Sequence, residues 1–67
     1  MRNNLKEIRK QRRFTQVELG RAVGKYQPYI HNVERGYYPP DAHQREELAR
    51  VLGVEVTDIF PDATLEP

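Results

Sequence analysis

The stretch from Phe14 to Gly36, FTQVELGRAVGKYQPYIHNVERG, constrains this chain more than any other, because it holds two helix signatures a tight turn apart. Thr15 is a good N-cap, and Glu18 three residues on can reach back to the cap's own N–H, so the pair forms a capping box. Phe14 and Leu19 have the spacing of a hydrophobic staple, which fixes the angle at which the chain enters the helix. Leu19, Ala22 and Val23 recur at i, i+3 and i+4 as one apolar stripe, and Gly24 supplies the left-handed residue that ends a helix of about eight residues. Only Lys25 and Tyr26 precede the next pattern, in which Pro28 suits the first turn, where its missing N–H costs nothing. Ile30 and Val33 face inward, and Gly36 closes the element. Two short helices joined so tightly must cross steeply and share a core.

In this register the stretch resembles the helix-turn-helix of the Cro/repressor, or XRE-type, DNA-binding proteins. With Gln16 as the first position of that motif, Leu19, Val23, Ile30 and Val33 meet its apolar positions. Gly20 is the small residue where the helices touch, Gly24 is the turn glycine, and Glu34-Arg35-Gly36 matches the family's closing tripeptide. The resemblance implies an all-α, compact five-helix, lambda-repressor-like DNA-binding domain over residues 1–67, with the motif at about 15–36. It implies an ion pair between Arg9 on helix 1 and Glu34 at the end of helix 3. Such a buried pair is weak evidence of net stabilisation, but removing one partner strands a charge and costs about 3–5 kcal/mol. It further implies that Gln16 touches the DNA backbone and braces the third helix, with Thr15 and Arg35 as neighbouring backbone contacts.

Length and charge agree with one small intracellular domain. A chain of 67 residues buries roughly 60% of its unfolded surface, so its core must be economical. There is no cysteine, hence no disulfide framework, no thiolate zinc site and no cysteine nucleophile. The N-terminus lacks the apolar run of a signal peptide and nowhere do eighteen apolar residues follow one another, so a soluble, cytoplasmic protein is expected. The net charge of +1 hides an asymmetry: residues 1–36 hold nine Lys or Arg against three Glu, and residues 37–67 two Arg against seven Asp or Glu. A basic half that carries the hairpin is the footprint of a face that meets phosphates.

Along the chain, Asn4-x-x-Glu7 reads as a capping pattern that opens helix 1, with Leu5 and Ile8 inward. Arg12 and Arg13 follow Lys10 in a basic run, where a cation serves either the helix C-terminal dipole or a phosphate. Helix 3 is the recognition candidate, its outward positions being Gln27, Pro28, Tyr29, His31 and Asn32. The amides of Gln27 and Asn32 can pair bidentately with adenine, each pair discriminating by roughly 1–3 kcal/mol. Because a residue before proline avoids helical geometry, Gln27 is either the cap or the first helical residue. Lys25 and Tyr26 are expected along the sugar-phosphate backbone. Of Tyr37 and Tyr38, in the loop held extended by Pro39 and Pro40, one is expected to cover the core and one to reach a phosphate. Asp41 and Gln44 box the start of helix 4, whose buried side is Leu48, Ala49, Val51 and Leu52, with Gly53 its stop. Arg45 falls where the resembled family has an apolar residue. A short helix 5 is expected at Asp58–Phe60, with Val54, Ile59 and Phe60 resembling the closing core segment of that family, and 61–67 as a frayed tail.

His31 and His43 stand twelve residues apart with no carboxylate cluster, so no metal and no cofactor is expected. No serine, glycine-rich phosphate loop or nucleophile–base set is present, so no enzyme is expected. The reading is a sequence-specific regulator of transcription, in the manner of a repressor, that binds duplex DNA as a homodimer. Its seam is expected at Val56, Ile59, Phe60 and Leu65. The rival is a protein-interaction module of the antitoxin type, using the same fold on a toxin or co-regulator.

Overall fold

The computed structural model describes residues 3–62. Its elements are α1 (Leu5–Gln11), α2 (Gln16–Ala22), α3 (Gln27–Glu34), α4 (Ala42–Leu52) and α5 (Val56–Ile59), with no strand among the described residues. Two starts follow directly from local sequence. Thr15 is extended, its hydroxyl accepts from the Glu18 N–H at 3.0 Å, and the Glu18 carboxylate accepts from the Thr15 N–H at 2.9 Å. At α4 the Asp41 carboxylate accepts from the Gln44 N–H at 2.8 Å, and the Gln44 amide oxygen accepts from the Asp41 N–H at 3.0 Å. A third box was hidden in the last helix. The Asp58 carboxylate accepts from the Glu55 N–H at 2.9 Å, so α5 opens at Val56 and ends at Ile59, two residues earlier than Asp58 and one short of Phe60.

The start of α1 departs from its local pattern. Asn4 sits at φ −106°, ψ 19°, outside the extended cap geometry, and its side chain caps nothing. The Asn4 amide instead donates to the Asp58 carbonyl at 3.1 Å and its backbone N–H to the Ile59 carbonyl at 2.8 Å. Asn3 takes over the cap by accepting from the Leu5 N–H at 3.0 Å, and donates to the Val33 carbonyl at 2.8 Å. Long-range bonds have outcompeted the local box, and they sew the beginning of the chain to α3 and α5.

One core joins all five helices: Leu5, Leu19, Ile30, Val33, Leu48, Ala49, Leu52, Ile59 and Phe60 are buried, and Ile8, Phe14, Val23, Val51, Val54 and Val56 pack around them. Each fully buried large side chain contributes about 1.5–3 kcal/mol. Ala22 is exposed, so the buried side of α2 runs through Leu19 and Gly20 rather than Leu19 and Ala22. The reason is how close α3 comes: a Cβ on Gly20 would lie 3.0 Å from the Tyr26 carbonyl carbon. Ile59 and Phe60 are 0% and 2% exposed, which removes both from the expected dimer seam. Leu65, the other end of that seam, lies outside the described residues, and Val56 is half-buried against the core.

Candidate nucleic-acid interface

The hairpin of α2 and α3 turns on Gly24, at φ 71°, where the Lys25 N–H also returns to the Gly20 carbonyl at 2.8 Å. Helix α3 then opens with Tyr26 as the extended cap residue, Gln27 as the first helical residue and Pro28 as the second. Gln27 is therefore inside the helix and not its cap.

A relay of side chains stands behind α3. Arg9, only 7% exposed, donates from Nε to Glu34 Oε2, from Nη2 to Glu34 Oε1 at 3.4 Å, and from Nη1 to the Phe14 carbonyl at 2.8 Å. Gln16 Nε2 donates to Glu34 Oε1 at 2.9 Å, and Gln27 Nε2 donates to Gln16 Oε1 at 2.6 Å. The Glu34 carboxylate, at the last residue of α3, thus braces through one glutamine the first residue of the same helix. No buried side-chain nitrogen or oxygen among the described residues lacks a partner, which is the condition for a buried charge to be tolerated. The relay fixes what remains for a ligand. Gln27 keeps its carbonyl oxygen and one N–H, an acceptor beside a donor; Gln16 keeps one N–H and one lone pair of its carbonyl oxygen.

Around this point Pro28 and His31 are exposed, and Asn32 is half-buried with its carbonyl accepting from the Tyr37 N–H at 2.9 Å. Tyr26 is the most exposed aromatic at 84%. Arg35 lies 5.7 Å over the Tyr37 ring, which is itself exposed, so these two form one cationic, aromatic edge past the end of α3. Thr15, Lys25 and Arg13 are exposed as well. Arg12 leans the other way, toward Gly53 at the end of α4, where its Nη1 would stand 3.8 Å from a Cβ.

Tyr29 does not point outward as expected. It is half-buried, packs on the core and meets the Tyr38 ring edge-to-face with centroids 5.5 Å apart. Burial, and then the charges of Tyr38 and Asp41, push its hydroxyl up to about 12. Its spacing was the missed signal, since Tyr29 stands four residues before the buried Val33 and shares its face. Tyr38 in turn donates to Gln44 Oε1 at 3.2 Å, tying the loop to the cap of α4. Neither Tyr37 nor Tyr38 is buried, so the expected division of one ring to the core is replaced by a partial cover of Tyr29 by Tyr38. Arg45 spends its guanidinium on the Pro40 carbonyl at 3.0 Å. Among the described residues no three His, Asp or Glu side chains converge as a metal site, and no helix is long and apolar enough to cross a membrane.

Comparison with known proteins shows the family of the chain. A family model described as Helix-turn-helix matches residues 5–59. The chain is 36% identical over 61 residues to the immunity repressor protein of Bacillus phage phi105, covering 91% of this chain and 42% of that protein. It is 33% identical over 60 residues to an uncharacterized HTH-type transcriptional regulator of Methanocaldococcus jannaschii, covering 90% of this chain and 91% of the relative. A similar regulator of Methanothermobacter thermautotrophicus is 39% identical over 61 residues, covering 90% and 88%. The chain thus spans less than half of the phage protein and nearly all of the two archaeal ones.

Proposed function

This chain belongs to the helix-turn-helix family of transcriptional regulators, and we propose that it binds duplex DNA sequence-specifically as a repressor, with α3 in the major groove. The observation that carries the reading is the relay behind Gln27. It holds that amide from the protein side and leaves an acceptor and a donor side by side, the pattern that adenine N6 and N7 complement. The remaining N–H of Gln16 suits a phosphate oxygen. Pro28, His31 and Asn32 line the rest of the reading face. Thr15, Lys25, Tyr26, Arg35, Tyr37 and Tyr38 frame it as contacts to the backbone, and the basic half of the chain supplies the attraction.

One such helix reads half a site, so two copies act on a two-fold operator with half-site centres roughly 34 Å apart. Because Ile59 and Phe60 are spent on the core, the copies meet chiefly when DNA has already aligned them. Selection from a randomised duplex pool at fixed salt tests this reading. The expected product is a two-fold site that takes two chains, from a protein that sediments as a monomer without DNA. A pool in which nothing is enriched, with affinity following salt alone, would replace it with the protein-interaction reading.

A further inference from the structure

The turns that close α2, α3 and α4 use a left-handed glycine: Gly24 at φ 71°, Gly36 at 77° and Gly53 at 71°. The turn that closes α1 is built the same way, but Arg13 occupies the left-handed position, at φ 63°. There the Arg13 N–H bonds the Lys10 carbonyl and the Phe14 N–H the Arg9 carbonyl, both at 3.0 Å, the pair of bonds by which a helix ends on such a residue. Any residue with a Cβ is strained in this conformation, and glycine would make the turn without strain. Nothing in the packing offsets that strain. Arg13 is exposed, and no described residue pairs with its guanidinium. The dipole of α1 is already met by Lys10 in its last turn, and Arg12 lies against the end of α4. A strained residue that the fold itself does not use points to a partner. Its position says which: Arg13 stands two residues before Thr15, the cap of α2, and three before Gln16, whose amide oxygen accepts from Gln27 in the proposed reading face.

We propose that Arg13 contacts a DNA phosphate and is held left-handed at the expense of stability, so that Arg13→Gly exchanges affinity for stability while Arg12→Ala, on a side chain turned toward α4, lowers the salt slope less. The inference rests on the duplex-DNA reading above. Thermal unfolding and a salt titration of binding to a mixed-sequence duplex are measured for the wild-type chain, Arg13→Gly, Arg13→Lys and Arg12→Ala. Arg13→Gly is expected to raise Tm by roughly 4–8 °C, the shift a domain of this size shows when one such strain is relieved. It is also expected to lower the slope of log K against log salt by about 0.9, one phosphate contact's share, whereas Arg13→Lys keeps the slope. A fall in Tm for Arg13→Gly would make Arg13 a structural cation of α1 and overturn the proposal. So would a raised Tm with an unchanged slope, or an equal loss of slope in Arg12→Ala. A wild-type chain without salt-dependent duplex binding would instead remove the DNA reading itself, whatever Tm does.

Discussion

The two helices of the hairpin begin in opposite ways. Both start from an extended residue, Thr15 for α2 and Tyr26 for α3. At α2 the start is closed: the cap hydroxyl and the Glu18 carboxylate satisfy the first backbone donors between them. At α3 the start is open. Tyr26 makes no side-chain cap, no acidic residue lies in the first turn, and Pro28 occupies the second position. A helix N-terminus without a carboxylate of its own keeps its positive end for an outside anion. The contrast separates the two helices: α2 completes its own start and lends Gln16 to hold Gln27, while the first turn of α3 has no side-chain cap.

The largest effect is expected where both helices share one support. Glu34→Ala strands the buried Arg9 and frees Gln16, and should lower the unfolding free energy by about 3–5 kcal/mol in urea melts. Glu34→Gln keeps one oxygen acceptor but removes the countercharge and sets an amide N–H against a donor, so most of that loss should remain. Equal stability of Glu34→Ala and wild type would mean that the relay does not hold the hairpin together.

The next effect sets the two starts against each other. Thr15→Ala opens α2 and should cost about 1 kcal/mol of stability. Tyr26→Asp closes α3 and should raise stability by about 0.5–1 kcal/mol, while duplex affinity falls because the new carboxylate faces phosphates. A Tyr26→Asp chain that binds DNA as tightly as wild type would show that the open end of α3 meets no anion.

The smallest effect concerns the side of α3 turned inward. Burial disfavours the charged form of Tyr29 and pushes its hydroxyl up from the ordinary 10.0 to about 12. The sign follows: the neutral hydroxyl is the form the fold prefers, so stability is intact below about pH 10 and declines as pH rises through the folded value. Tyr29→Phe should change little at neutral pH, flatten that alkaline decline, and remove the last phenolate to appear in an ultraviolet titration. If the late phenolate survives the substitution, another tyrosine is the buried one.

What was legible in the sequence was what neighbours in the chain decide. The Thr15 and Asp41 boxes, the Gly24 turn and the inward Ile30 and Val33 each rest on residues within one helical turn, and local preference agrees there with the final packing. Errors fell where distant residues compete. Asn4 had a local partner in Glu7 but gave its amide to Asp58, more than fifty positions away. Ile59 and Phe60 were expected both in the closing core segment and in a seam for a second copy; the core takes them, and the seam loses them. In the candidate site, the amide pair of Gln16 and Gln27 was only half legible. Each glutamine is the first residue of its helix, but that they meet depends on how near Gly20 lets α3 approach. Tyr29 was misread because a ring half-covered by another ring looks, in sequence, like any outward aromatic.

The most direct test of the central claim is the binding of Gln27→Ala to the selected operator and to a mixed-sequence duplex at the same salt. The account predicts that operator affinity falls by about 1–3 kcal/mol, with discrimination lost at one base pair in each half-site, while mixed-sequence affinity and its salt slope stay the same. A loss shared equally by both duplexes, or no loss on either, would contradict the claim that the braced amide of Gln27 reads a base.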